Sequence, residues 1–297
     1  MAQKLTEIHH SAAHGLELRE DTDVLTLLAD GQSEAAQAVG SAISAMAKAS
    51  ALAAASLRSG GRLIYAAAGS SGLMALADAL ELPGTYGIPR HRIVVLLAGG
   101  MDALVDMTGS PEDDGSAAET ALGSHDPNPS DCLIAVTASG QTPYPVAAAR
   151  MARKMGTRTI GIANNADAAL FGTVDVPILL PTPPEVIAGS TRMGAGTAQK
   201  IALNMLSTLM AIRLGHVHDG MMVNLLADNA KLRERAKGIV MSIAGVDAEK
   251  ASAALDLTGG AVKPAVLIAA GAAADRAALL LDRHEGHLRP ALAELGH

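Results

Sequence analysis

The stretch Arg62-Leu63-Ile64-Tyr65-Ala66-Ala67-Ala68-Gly69-Ser70-Ser71-Gly72 decides the fold. An apolar run from Arg62 to Ala67 stops at a hydroxyl-rich glycine turn, and a helical pattern opens at Leu73. A short run without polar alternation suits a strand whose sheet is covered on both faces. The same succession recurs downstream. Ile93–Ala98 closes on Gly99-Gly100. Asp131–Thr137 leads into Ser139-Gly140-Gln141-Thr142-Pro143 and a helix over Pro145–Met155. Thr157–Ala163 and Val174–Leu179 supply two more strands. Apolar strands alternating with helices predict an α/β fold, a doubly wound parallel sheet flanked by helices.

Around this centre the pattern is helical. Residues 1–20 are polar and read as an arm or a first loop. One long helix is expected over Asp30–Leu57, where Ala36, Val39, Ile43 and Met46 recur at three- and four-residue steps before Ser59-Gly60-Gly61. Thr197–Leu214 repeats the pattern through Ile201, Met205, Thr208 and Ile212, and 225–245 reads as another helix. Three short helical pieces follow over 247–255, 261–270 and 275–282. The division expected is 1–245 as the main domain and 246–297 as a small, UBA-like helical subdomain.

Composition narrows the function. The 297 residues are 49% hydrophobic and 18% charged, which supports a full core. Aromatics are 1%, and the net charge is −7. A nucleic-acid surface needs a basic stripe and stacking rings, so no nucleic-acid partner is expected. Cys132 is the sole cysteine, which excludes an intrachain disulfide and a multi-cysteine metal site. The first residues lack an apolar signal core, and the apolar stretches read as interrupted or too short to cross a bilayer. A cytoplasmic protein with no membrane partner is expected.

The chemistry sits in three loops: Gly69-Ser70-Ser71-Gly72, Ser139-Gly140-Gln141-Thr142 and Gly189-Ser190-Thr191-Arg192. Glycine lets backbone approach a ligand, the amides of a helix start bind anions, and hydroxyls add donors. Any one such loop can be a plain turn or cap. Three at the carboxyl ends of strands would surround a small polar ligand. None has dinucleotide spacing and no phosphate-binding G-x-x-x-x-G-K-[ST] occurs, so no nucleotide cofactor is expected. Two acids stand out. Glu81 ends a helical stretch, and Glu112 begins Glu112-Asp113-Asp114. Two carboxylates in unlike surroundings can act as acid and base without a metal. By residue type alone they equally fit a surface helix position and a solvated N-cap cluster. His216-x-His218 lacks a partner carboxylate at metal spacing, so no metal site is expected.

The order of Gly69-Ser70-Ser71-Gly72, Glu81-Leu82-Pro83-Gly84-Thr85-Tyr86-Gly87, Ala98-Gly99-Gly100, Glu112-Asp113-Asp114, Ala138-Ser139-Gly140-Gln141-Thr142-Pro143-Tyr144, Pro184-Glu185-Val186-Ile187-Ala188-Gly189-Ser190-Thr191-Arg192 and Gly196-Thr197-Ala198-Gln199-Lys200 resembles the N-acetylmuramic acid 6-phosphate etherases, of the sugar isomerase (SIS) fold group. The resemblance runs from about Thr6 to the final helices. It implies a SIS-type sheet and a lyase that opens the sugar ring, removes the C2 proton, expels D-lactate from C3 and adds water there. It implies Glu81 as the acid for lactate departure and Glu112 as the C2 base. It implies an amino-sugar phosphate held by Gly69, Ser70, Ser71, Ser139, Gly140, Gln141, Thr142, Ser190, Thr191 and Arg192. It also implies a homodimer with the site near the subunit interface. A sugar-phosphate sensor, like the glucokinase regulatory proteins, and a SIS-fold sugar-phosphate isomerase are the competing readings; the retained acid pair argues against the sensor. The chain departs from the family pattern at Leu73, Gln141 and Gly194, where basic residues are usual, at Leu82-Pro83-Gly84, and at His10. The acid–base pair is thus kept while anion recognition is altered.

Overall fold

A computed structural model describes residues 7–106, 108–225, 227 and 229–297. They form two compact units. The first comprises the described residues up to Ala79 together with His91–Ser207; the second comprises Leu80–Arg90 and Thr208–His297. Helices 69–86 and 194–213 each contribute to both. The compositional boundary at 245/246 falls inside the second unit.

In the first unit five strands form one parallel sheet: β1 (Leu63–Ala67), β2 (Ile93–Leu97), β3 (Cys132–Thr137), β4 (Arg158–Ala163) and β5 (Val176–Leu179), in the order β2-β1-β3-β4-β5. Helices α1 (Asp21–Ala38), α2 (Ile43–Arg58), α3 (Gly69–Tyr86), α4 (Gly115–Gly123), α5 (Pro143–Lys154) and α6 (Gly194–Arg213) accompany it. One sheet face, through Ile64, Ala66, Leu133 and Ala135, packs on Leu122 of α4 and Tyr144 and Ala148 of α5. The opposite face presents Tyr65, whose hydroxyl donates to Asp78 of α3 at 2.8 Å. Ser50 of α2 donates to the Leu206 carbonyl of α6 at 3.0 Å. Both faces are therefore covered, which accounts for strands that are buried along nearly their whole length.

The helical expectations need correction at their edges. The single helix over 30–57 is two, α1 and α2, separated by a 3₁₀ turn at Val39–Ala42. By length and mean hydropathy Asp21–Arg58 could cross a membrane, so the expectation that no stretch is long enough does not hold. Ala35, Val39, Met46, Ala49 and Ala53 along it are buried in the protein. Helix α3 begins at Gly69 and not at Leu73, so the expected loop is the first helical turn. Helix α4 was not foreseen.

The second unit joins the ends of α3 and α6 to a short hairpin, β6 (Val217–His218) with β7 (Met221–Met222), and to α7 (Ala230–Ala244), α8 (Ala248–Leu257), α9 (Val262–Ala269), α10 (Ala274–Arg283) and α11 (Leu288–Ala293). Three helical pieces were expected after residue 245; four are present. Val223, Ile239, Val240, Val266, Leu280 and Leu288 share one core, so α7 packs with the C-terminal helices. Asn229 caps α7 by accepting from Leu232 N–H at 2.9 Å, and Gly245 ends it in the left-handed region at φ 64°. Within this unit burial, the nearby Lys263 cation and His287 hold His216 neutral against a hydrogen bond to the Tyr86 backbone, lowering its pKa to about 4. The unfolded imidazole takes its proton near pH 6.5; the folded one does not until about pH 4. Stability from this group is therefore present above pH 6.5 and lost progressively down to pH 4, by at most about 3 kcal/mol. Urea denaturation between pH 7 and pH 4 should show this loss, and His216→Leu should flatten the profile. An unchanged slope in the variant would contradict the assignment.

Candidate functional site

The strand order sets the site. β1 pairs with β2 on one side and β3 on the other, and Ala67 lies level with both Leu97 and Val136. The chain leaves β1 toward one face, through α3, and leaves β2 and β3 toward the other, through α4 and α5, so the β1–β3 boundary is where the winding reverses. In such sheets ligands bind at the carboxyl ends beside that reversal. The first and second hydroxyl loops both leave the sheet there.

The first loop opens α3. The Gly72 amide makes the first helical bond, to the Ala68 carbonyl at 2.9 Å, so the amides of Gly69, Ser70 and Ser71 precede the ladder. Gly69 has φ 53°, in the left-handed region. A Cβ added there would stand 3.7 Å from Glu112 Oε2, so the Glu112 carboxylate lies against this turn. A cavity of about 280 Å³ is lined by Gly69, Ser70, Gly72, Leu73, Leu97, Ala98, Ala103, Leu104, Thr108, Gly109, Glu112 and Thr191. It brings together four of the sequence candidates: Gly69, Ser70, Glu112 and Thr191. Among the described residues Glu112 is the one ionisable group that lines it, and Leu73 gives it an apolar wall. Ser71 is buried behind the turn.

The second loop bonds to itself. Thr137 and Thr142 hydroxyls are 2.7 Å apart, the Gln141 amide donates to Ser139 Oγ at 3.1 Å, and Gln141 Nε2 donates to the Asp167 carbonyl at 2.9 Å. Gly140 sits at φ 73°, and a Cβ there would fall 2.1 Å from Ala168 Cβ, so only glycine fits. This loop does not line the 280 Å³ cavity, and neither do Ser190, Arg192 or Glu81. Arg192 is exposed, and Glu81 is exposed on the part of α3 that belongs to the second unit.

Two buried carboxylates that shape this region were not singled out by sequence. Asp78 is 2% exposed. Burial raises its pKa, while donors from Tyr65, Ser207 and Asn204, and the charge of Lys200, oppose the rise. The donors lie at 2.8, 2.8 and 3.0 Å and tie β1, α3 and α6 together. Glu185 is 5% exposed and accepts the Gly194 and Ala195 amides at 2.8 and 2.9 Å. It thus occupies the positive start of α6 and closes the segment that carries Ser190, Thr191 and Arg192. A Cβ at Gly194 would stand 3.1 Å from Glu185 Oε2, which gives that glycine a packing reason. Apart from Tyr65, the side-chain donors to Asp78 lie far along the chain, and those to Glu185 are backbone amides, so no local pattern marks either acid. Cys132 is buried, its thiol pushed up to about 12, and it is no nucleophile.

Residues 29–164 match the SIS domain family. A structure described as a phosphosugar isomerase involved in capsule formation, from Bacteroides fragilis, shares the fold: 24% identity, TM-score 0.50, over 67% of this chain and 93% of that one. The protein is thus a SIS-domain protein. N-acetylmuramic acid 6-phosphate etherase of Deinococcus radiodurans is 44% identical over 89% of this chain and 86% of its own length. That of Serratia proteamaculans is 40% identical over 89% of each. The chain belongs to the N-acetylmuramic acid 6-phosphate etherase family.

Glu185→Ala leaves two amides at a buried helix start without their acceptor, a loss of about 3 kcal/mol. Thermal unfolding should show a clearly lowered Tm, with Glu185→Asp intermediate. An unshifted Tm for Glu185→Ala would overturn the clasp.

Proposed function

We propose that this protein is a carbon–oxygen lyase cleaving the D-lactyl ether of N-acetylmuramic acid 6-phosphate, giving D-lactate and N-acetylglucosamine 6-phosphate. Similarity to relatives of that name over nine-tenths of the chain supports the reaction. The observation that carries it to this site is Glu112, whose carboxylate lies beside the Gly69 turn in the cavity at the sheet reversal.

In this reading the sugar opens to its aldehyde, which acidifies C2 enough for a carboxylate to remove the proton. The electron pair forms the C2–C3 double bond as the C3–O bond breaks. The ether oxygen leaves with lactate and takes a proton, and water then adds at C3. Glu112 is the C2 base, since it borders the anion-binding turn on which the sugar phosphate is placed. Glu81 is the acid that protonates the departing oxygen, a role taken from the family motif. The amides of Gly69, Ser70 and Ser71 hold the phosphate with the hydroxyls of Ser70, Ser139, Thr142, Ser190 and Thr191; Gly140 and Gln141 shape the second loop, and Arg192 supplies a motif cation. Among the described residues no Lys or Arg lines the Glu112 cavity, and those that do line it offer amides and hydroxyls.

We also read the chain as a cytoplasmic homodimer with its site near the subunit interface. Helix α1 buries only Ala35 and leaves Leu25 64% exposed, which fits a second copy as its cover. Sedimentation should give twice the chain mass; a monomer would contradict this reading.

The purified protein should release D-lactate from N-acetylmuramic acid 6-phosphate, and Glu112→Gln and Glu81→Gln should each reduce kcat by about 100-fold or more. Wild-type protein that is folded yet releases no lactate would overturn the activity. Full activity in either variant would remove that residue from the reaction.

A further inference from the structure

Gln199 lies on α6 and is wholly buried, at 0% exposed, as is Asn164 just after β4. Its Nε2 donates to Asn164 Oδ1 at 2.9 Å, and Asn164 Nδ2 donates to Thr182 Oγ1 at 3.3 Å. Gln199 Oε1 is buried and has no hydrogen-bond partner among the described residues. A leucine or methionine would fill the same volume without the cost of an unpartnered carbonyl. Packing therefore gives no reason for an amide here, and the reason lies in what Asn164 holds.

Asn164 and Asn165 stand at the carboxyl end of β4, beside the second hydroxyl loop. The Asn164 amide and Asn165 Nδ2 both donate to the Ala138 carbonyl, at 3.0 and 3.1 Å. Leu170 N–H donates to the Gly140 carbonyl at 3.0 Å, and Gln141 Nε2 to that of Asp167 at 2.9 Å. Bonds among Thr137, Ser139 and Thr142 shape the loop from within. The four bonds to residues 164–170 seat it on the rest of the protein. The Asn164 side chain then joins that seat to α6 through Gln199. The same helix follows directly on the third hydroxyl loop, Gly189–Arg192. A buried chain of hydrogen bonds in a low-dielectric interior stiffens whatever it joins.

We infer that Gln199 is a positioning residue for the sugar phosphate: acting through Asn164, it fixes the second loop, Ser139–Thr142, relative to α6. The second and third loops then meet one ligand in a set geometry. The role in binding rests on the etherase reading, whereas the mechanical tie does not.

Gln199→Met keeps the side chain's length and removes its amide. In this full-length variant, without ligand, hydrogen exchange in the peptide over 138–142 should speed up about fivefold relative to that over β1. With N-acetylmuramic acid 6-phosphate, KM should rise about tenfold while kcat stays nearly unchanged, the mark of lost binding common to ground and transition states. A residue that only filled the core would lower Tm and leave KM alone. Asn164→Leu should raise KM alike, and the double variant should do no more than either, since one acts through the other. Gln199→Asn, too short to reach Asn164, gives the same readouts if the methionine variant does not fold. Unchanged exchange over 138–142 in a folded variant would overturn the tie, and faster exchange with an unchanged KM would overturn the role in binding. Wild-type protein that releases no lactate would remove the etherase reading and the binding role with it, while the exchange ratio would still decide the tie.

Discussion

The parallel pairing of β1 with both β2 and β3 is the constraint on which the site depends. Because Ala67 is level with Leu97 and Val136, three chain segments leave the sheet at one height. The winding reverses between β1 and β3, so the connections there part and leave a crevice. Polar loops occupy it above a sheet whose faces are covered mainly by alanine and branched aliphatics, with Tyr65 and Tyr144 packed among them. Small side chains let α2, α3, α5 and α6 lie close to the strands, and the near absence of aromatics is the compositional trace of that packing.

Acids organise this region in two ways. Asp78 and Glu185 are buried, and each meets hydrogen-bond donors that offset the cost of its charge. They fix α3 against α6 and shape the start of α6. Glu112 differs: it borders a cavity, against a glycine turn with amides ahead of the helical ladder. An acid whose bonds are all used is a fastener, and one that faces open space beside anion-binding amides is available for proton transfer.

Much of this was legible in the sequence because strands buried on both faces advertise themselves. Arg62–Ala67 and Asp131–Thr137 read as strands, and they are. Helix edges were less legible. Val39–Ala42 keeps the apolar spacing of a helix while tightening to 3₁₀, so periodicity alone ran α1 into α2. Gly69-Ser70-Ser71 has loop composition yet forms the first turn of α3, because a start that keeps its amides free favours small residues there. Helix α4, of nine residues and rich in Gly, Ser and Ala, has too faint an apolar stripe to read. At the site, Glu112 was visible through its motif, while Asp78 and Glu185 were not, since their partners lie up to 129 residues away or are backbone amides.

The measurement that bears most directly on the central reading is the fate of solvent oxygen. The reaction is run in H₂¹⁸O on N-acetylmuramic acid 6-phosphate, and both products are weighed. Elimination followed by hydration keeps the ether oxygen in D-lactate and places the label at C3 of the sugar. Label in lactate, with none at C3, would mean cleavage on the lactyl side of the ether and would contradict a C2 base at Glu112.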